Sequence, residues 1–175
     1  MSESRDGVLD FLAMPGSVAV HFERMLPYSP KQVWEHLLNR DQLTEWLTSE
    51  PGGHIRRHEG GEVLLPTIGG ARIESEVIEI IPEETLVFGW ETREWDGGVV
   101  GWYLDREDGE TGVIFEHEDD ALDPEHYART LANWHLTLDR FQASLAGKPQ
   151  AWSWDEWKKQ YARYSVTLLD ELSGL

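Results

Sequence analysis

The stretch that decides the fold is DPEHYARTLANWHLTLDRFQASLAGKP, residues 123–149. Its large apolar side chains recur every three or four positions, which is the spacing of one face of an α-helix. These side chains are Tyr127, Leu131, Trp134, Leu138, Phe141 and Leu145. Asp123 followed by Pro124 is typical of a helix start, and Gly147 with Pro149 ends the pattern. The sequence therefore predicts a helix of about five turns whose apolar face needs a partner of similar length.

The partner is predicted upstream, where short runs of β-branched and aromatic residues indicate strands. Short turn sequences such as Asp96-Gly97-Gly98 separate these runs, which favours antiparallel pairing over a parallel sheet. The predicted strands are Glu62–Pro66, Arg72–Ile81, Thr85–Trp90, Val99–Asp105 and Thr111–His117. An earlier strand is predicted at Val18–Leu26, where apolar and polar residues alternate.

Three further helices are predicted. Ser29 caps the first, Pro30 suits its first position, and Gln32 completes a capping box. Asp41–Leu47 forms a second short helix, and Ser153 opens a C-terminal one. The apolar face of the C-terminal helix comprises Trp154, Trp157, Tyr161, Tyr164, Leu168 and Leu172. We expect this face to pack within the chain, with a dimer contact as the alternative.

These elements predict an α+β fold with one curved antiparallel sheet of about six or seven strands wrapped around the long C-terminal helix. Two short helices follow the first strand, and an extra helix follows the long one. The predicted organisation is an N-terminal arm at 1–17, one domain at 18–147, and a C-terminal helical extension at 148–175 packed on that domain.

Composition restricts the function classes. The chain has 175 residues, enough for one well-packed domain, and no cysteine, which excludes disulfides and thiolate chemistry. It carries 33 Asp and Glu against 15 Lys and Arg, a formal net charge of -18. That charge argues against nucleic acids and anionic membrane surfaces as partners. No apolar run approaches the ~20 residues of a membrane helix, so we expect a soluble, cytoplasmic protein.

Several short motifs carry a family resemblance. They are Pro30-x-x-Val33-Trp34, Leu43-x-x-Trp46, the stretch VIEIIPEETLVFGW at 77–90, and Trp134 with Leu138 and Phe141. In this order they resemble the helix-grip superfamily of START-like domains, and within it the family related to the activator of the heat-shock chaperone ATPase. The resemblance covers about residues 18–145.

The resemblance implies a cavity between the sheet and the long helix. Related domains hold lipids, polyketides, hormones or other apolar molecules there, some relatives stimulate a chaperone ATPase, and a few branches carry out cyclase or hydrolase chemistry. We therefore expect the ligand-binding wall to comprise Trp90, Trp102, Phe115, Tyr127, Leu131, Trp134 and Leu138, with Tyr103 and His117 orienting the ligand. Ordinary core packing is the alternative for each aromatic residue.

His117 is the most interesting polar candidate. If Val113 and Phe115 face inward, the two-residue period of a strand places His117 on the same face. A histidine there either acts as a proton shuttle or is satisfied by neighbouring backbone groups. His126 and His135 lie nine residues apart, which turns a helix by about 900°. They therefore point to opposite faces, and we expect neither a metal nor a cofactor.

Three functions remain open from the sequence. The leading hypothesis is a cofactor-free protein that binds a small apolar or aromatic molecule in an internal cavity. The second is an interaction or stress-response protein that acts on a chaperone through its acidic surface. The third is a cofactor-free cyclase or hydratase with His117 as general base. Both a monomer and a homodimer are compatible with the sequence.

Overall fold

Eight strands and four helices make up the described part of the chain, which comprises residues 5–11, 17–121 and 123–173 without the side chain of Leu172. The structure is a computed structural model. The strands are β1 (Val8–Phe11), β2 (Val18–Leu26), β3 (His54–Ile55), β4 (Glu62–Pro66), β5 (Arg72–Ile81), β6 (Thr85–Glu91), β7 (Asp96–Glu107) and β8 (Glu110–Asp119). The helices are α1 (Pro30–Leu38), α2 (Leu43–Trp46), α3 (Pro124–Leu145) and α4 (Trp154–Ser173).

All eight strands form one antiparallel sheet in the order β1-β2-β8-β7-β6-β5-β4-β3. The sheet wraps around α3, so the predicted α+β helix-grip fold is confirmed. The strand count exceeds the predicted six or seven because β1 and β3 add two short strands at the sheet edges. Both are held by pairing with a neighbouring strand, which the local sequence pattern does not reveal.

The predicted starts of three helices are confirmed by capping contacts, whereas α2 begins at Leu43 and not at the predicted Asp41. Ser29 and Gln32 form the reciprocal capping box of α1. Asp123 Oδ1 accepts a hydrogen bond from the Glu125 N–H at the start of α3. Ser153 Oγ accepts one from the Glu156 N–H at the start of α4. Each cap satisfies a backbone donor that the first helical turn leaves unpaired.

The core lies between the concave sheet face and α3. Phe115 of β8 contacts Trp134 of α3 with ring centroids 4.2 Å apart, and Trp102 of β7 contacts Phe115 at 5.0 Å. Trp46 of α2 meets Phe141 of α3 at 4.7 Å, which brings the short helices into the same cluster. Aromatic pairs of this kind each add about 0.5–1.5 kcal/mol beyond the area that they bury.

Helix α4 packs along α3. Tyr164 and Leu168 are buried in this contact, and the Trp157 Nε1–H donates a hydrogen bond to Asn133 Oδ1 at 2.6 Å. Trp154, at the start of the helix, is 51% exposed. The predicted apolar face thus meets α3 over its middle turns, while the side chain of Leu172 lies outside the described residues.

A three-residue contact, here named the terminal clasp, joins the N-terminal arm to α3 and α4. It consists of Gly7, His135 and Tyr164. The Gly7 N–H donates to the Tyr164 hydroxyl oxygen at 2.8 Å, and that hydroxyl lies 2.8 Å from His135 Nδ1. A Cβ atom at position 7 would collide with the ring of Phe22 and approach Leu131 Cδ2 to 2.6 Å. The clasp therefore requires glycine at this position.

Candidate ligand-binding site

A pocket of about 360 Å³ opens at the end of the sheet beside the first half of α3. The turn between β4 and β5, the turn between β6 and β7, and the segment just before α4 surround it. Five tryptophans line it: Trp90, Trp95, Trp134, Trp152 and Trp154. Its volume lies within the ~300–1,000 Å³ of typical small-molecule sites.

The tryptophans come from separate parts of the chain. Trp90 of β6 and Trp134 of α3 meet with ring centroids 5.0 Å apart and form the inner wall. Trp152 and Trp154 meet at 5.4 Å and form the wall on the α4 side. Trp95 and Trp154 stand at the mouth, 45% and 51% exposed. The pocket thus presents large flat apolar surfaces to whatever enters it.

One face of α3 supplies the polar part of the lining. His126, Thr130, Asn133 and Thr137 follow the three-and-four spacing of a helical face. The two threonine hydroxyls donate to backbone oxygens four residues earlier, at 3.0 and 2.8 Å, so their oxygens remain as acceptors. Asn133 Oδ1 is occupied by the Trp157 N–H, which leaves the Asn133 amide hydrogens as donors.

His117 is held at both ring nitrogens. The Trp134 Nε1–H donates to His117 Nδ1 at 2.9 Å, so Nε2 carries the proton and donates to the Gly97 carbonyl at 2.5 Å. Burial holds the pKa of His117 below its ordinary 6.5. This neutral ring fixes the orientation of Trp134 in the pocket wall. It has no free lone pair with which to accept a proton from a substrate.

Asp119 and His126 form a second polar pair at the pocket. Asp119 follows His117 by two residues on the same sheet face, and its Oδ2 lies 2.6 Å from His126 Nε2. The Ala121 N–H donates to Asp119 Oδ1 at 3.2 Å. Burial opposes ionisation of Asp119, yet the hydrogen bonds from His126 and Ala121 keep its pKa below 3.8. The carboxylate therefore accepts, and His126 Nε2 carries a proton.

The residues expected to bind a ligand do not all come together. Three line the pocket: Trp90, His117 and Trp134. The others lie elsewhere, and those buried in the core are Trp102, Phe115, Tyr127, Leu131 and Leu138. Tyr103 lies on the opposite face of the sheet, where its ring covers Gly101. Its alternation with the inward-facing Trp102 explains that placement.

Several pocket residues were not anticipated from the sequence. Trp95 belongs to a turn, and Trp152 precedes a helix, so neither falls on a periodic apolar face. His126 and Asn133 lie on the polar side of α3, where a solvent-facing role is the usual interpretation. The usable signal was the cluster of three tryptophans at 152–157, because a single helix face does not account for all of them.

Two further features bear on function. Among the described residues, no group of three or more His, Asp or Glu side chains is arranged to hold a metal ion. In the same ranges, no helix is long and apolar enough to cross a membrane.

The sheet, the helix and the pocket together define a helix-grip domain, and solved structures show the same fold. CalU16 from Micromonospora echinospora matches with a TM-score of 0.72 at 17% identity, covering 93% of this chain and 97% of that one. DynU16, from the dynemicin biosynthetic locus, matches with a TM-score of 0.64 at 22% identity, covering 77% of this chain and 49% of that one. The Aha1 dimer from Colwellia psychrerythraea matches with a TM-score of 0.62 at 20% identity, covering 73% of this chain and 95% of that one.

The chain belongs to the family of Activator of Hsp90 ATPase homolog 1-like proteins, whose profile matches residues 27–146. That span is more than half of the chain, and it confirms the resemblance found in the sequence. No curated protein sequence matches the chain. The family match ends at the close of α3. The α4 side of the pocket, including Trp152 and Trp154, therefore lies outside it.

Proposed function

We propose that this protein binds a small aromatic molecule in the tryptophan-lined pocket and that it does so in the cytoplasm. The observation that carries the proposal is the convergence of five tryptophans from β6, the following turn, α3 and the segment at the start of α4. Aromatic side chains bind flat molecules by stacking and by burial of apolar area. The fold alone does not make this case, because domains of one fold serve many functions.

The arrangement of the walls supports a flat ligand. Trp90 and Trp134 contact each other and close the inner end, whereas Trp95 and Trp154 are half exposed and leave the mouth open. An exposed tryptophan at a pocket mouth keeps its apolar surface in contact with water until a ligand covers it. Covering one such ring is worth about 1.5–3 kcal/mol, which is enough to hold a small molecule together with the inner wall.

The polar lining supports an oriented ligand. Within the described ranges, no group accepts from the Asn133 amide hydrogens, and the buried indole N–H of Trp152 has no hydrogen-bond partner. A buried donor without a partner is costly, and a ligand acceptor would remove that cost. We therefore place an aromatic body between the tryptophans and an oxygen-bearing edge towards α3.

The first test is mass spectrometry of the freshly purified protein under native and then denaturing conditions. Extra mass found only under native conditions would support a non-covalent occupant and begin to identify its class. Titration with naphthalene and its derivatives then measures affinity directly. A bare native mass, together with no binding of any of these compounds, would contradict the proposal.

A pocket variant gives the matched comparison. Trp154→Ala removes one half-exposed wall and should weaken binding about tenfold. Leu169→Ala is the control, because Leu169 is an exposed apolar residue of the same helix that does not line the pocket. Equal affinities in both variants would show that the ligand lies elsewhere.

The family membership favours one second candidate, a protein partner of the chaperone type. The net charge of -18 predicts that such an association weakens steeply with added salt. Chaperone ATPase activity measured with and without this protein, at low and high salt, tests it. Salt-sensitive stimulation would support the partner role, and its absence at low salt would contradict it. Cyclase or hydratase chemistry with His117 as base is not proposed, because both nitrogens of that ring are engaged.

A further inference from the structure

Two histidines line the pocket, and their ring nitrogens differ in availability. His117 uses both nitrogens within the protein. His126 uses Nε2 in its contact with Asp119, whereas the described residues give its Nδ1 no hydrogen-bond partner. An available imidazole nitrogen beside an apolar wall is the type of polar group that selects one ligand over another.

The protonation of His126 follows from its partner. Asp119 is ionised and accepts on both oxygens, from the Ala121 N–H on one and from His126 on the other. A carboxylate has no hydrogen to give, so the Nε2 of His126 must carry one. In the neutral ring the lone pair then resides on Nδ1. The Asp119 contact therefore fixes His126 as a hydrogen-bond acceptor at the pocket.

Apart from the two threonine oxygens of α3, which can accept, the other available polar groups of the described pocket lining are donors. The Asn133 amide hydrogens and the Trp152 indole N–H both donate. Arg129 also lines the pocket, with one guanidinium nitrogen paired to Glu125 at 2.8 Å. A ligand with carbonyl or ether oxygens alone would satisfy the donors and leave His126 without a partner. A ligand that also carries an O–H group would satisfy both.

We propose that His126 Nδ1 accepts a hydrogen bond from a hydroxyl group of the ligand, so that the pocket selects hydroxylated aromatic molecules over molecules of the same shape that lack the O–H. This inference rests on the proposed function and adds the chemistry of the ligand edge. Asp119 is a positioning residue in it, since it acts through His126 and sets which nitrogen carries the proton.

Three probes of nearly equal shape test the selection: 2-naphthol, 2-methoxynaphthalene and naphthalene. The first donates and accepts a hydrogen bond, the second only accepts, and the third does neither. Affinities are measured by calorimetry at pH 8, above the usual titration range of histidine. We expect 2-naphthol to bind about three- to tenfold more tightly than 2-methoxynaphthalene, the value of one net hydrogen bond.

His126→Phe keeps a planar ring and removes both nitrogens. The ratio of the two affinities should then fall to about one, and the naphthalene affinity measures separately how the new ring changes the apolar wall. His54→Gln is the matched control. His54 also lies 2.6 Å from a carboxylate, that of Glu62, and its side chain has the same 21% exposure, yet it lies outside the pocket. This control should retain the full preference for 2-naphthol.

Asp119→Asn keeps His126 and changes only its proton. With its oxygen still on the Ala121 N–H, the new amide nitrogen faces His126 Nε2 and donates to it, which moves the ring proton to Nδ1. His126 then becomes a donor, both oxygenated probes can accept from it, and the preference for 2-naphthol should disappear. A purely structural role of Asp119 would lower stability without changing this ratio.

The outcomes distinguish a failure of the proposed role of His126 from a failure of the proposed aromatic-binding function. If none of the three probes binds, the proposed function fails and the inference fails with it. If all three bind with equal affinity, or if His126→Phe keeps the preference, the pocket binds aromatic molecules and the role of His126 is wrong. A preference that both the His126 and the Asp119 variants abolish, and that His54→Gln retains, supports the inference.

Discussion

At the scale of single residues, His117 and Trp134 show how the pocket wall is held in place. The indole N–H of Trp134 points to one nitrogen of His117, and the other nitrogen of His117 reaches the backbone of Gly97 at the start of β7. Both rings are buried, so neither contact has water as a substitute. The orientation of the inner wall therefore depends on a single buried hydrogen-bond chain.

Trp134→Phe tests this chain. The substitution keeps an apolar ring, removes the N–H and leaves His117 Nδ1 as a buried acceptor without a partner. We expect the free energy of unfolding to fall by about 1–3 kcal/mol, measured by urea denaturation. Trp95→Phe is the control, because Trp95 is 45% exposed and should change stability by less than about 0.5 kcal/mol. Equal losses in the two variants would contradict the argument.

The buried histidines predict how stability responds to acid. Burial lowers the pKa of His36, His117 and His135 below 6.5 in the folded protein. Each therefore contributes stability that is fully present above pH 6.5 and is lost as the pH falls through the folded-state pKa. Urea denaturation at pH 7.5, 6.5 and 5.5 should show a decreasing free energy of unfolding. A value that rises towards pH 5.5 would contradict this prediction.

His21 provides an internal check on that profile. Burial lowers its pKa, but hydrogen bonds to Glu23 and Glu116 at 3.1 Å raise the pKa by more than burial lowers it. The net shift of the His21 pKa is therefore upward. Its contribution is thus present below pH 6.5 and is lost as the pH rises through the folded-state pKa. It opposes the trend of the other three. His21→Gln should make the loss of stability on acidification steeper, which the same measurements would show.

At the scale of helices and strands, local signals were sufficient for most of the fold. Ser29 and Asp123 mark helix starts because a cap is made within three residues of the chain. The strand β1 and the position of α4 were not predictable in this way. They depend on contacts such as that of Tyr164 with Gly7, which are 157 residues apart. The pocket depends on those same contacts, because α4 and the segment before it each supply one of its tryptophans.

Gly7→Ala tests whether the terminal clasp secures β1. The added Cβ would press against Phe22 and Leu131, which costs about 1–3 kcal/mol by overpacking. We expect faster hydrogen exchange in Val8–Phe11, measured by mass spectrometry, with the central strands unchanged. The control is Gly112→Ala, where the nearest atom to a new Cβ lies at 3.6 Å, an ordinary contact. Unchanged protection of β1 in the Gly7 variant would show that strand pairing alone holds it.

At the scale of the whole molecule, the net charge of -18 opposes compactness through self-repulsion. Salt screens that repulsion, and the screening length is about 8 Å at 0.15 M. We expect the melting temperature to rise between 0.02 and ~0.2 M sodium chloride and then to level off. A continued rise at higher salt would indicate salting-out of apolar surface instead. A flat response at low salt would contradict self-repulsion.

The terminal clasp also has a consequence for how the chain is made. Gly7 precedes Tyr164 by 157 residues, so at about 5–20 residues per second it is synthesised roughly 8–30 s earlier. During that interval β1 can pair with β2, but it has no Tyr164 hydroxyl to hold its start. The clasp therefore reaches β1 only after most of the chain has been made, and a chain that stops before Tyr164 would hold this strand by its pairing with β2 alone.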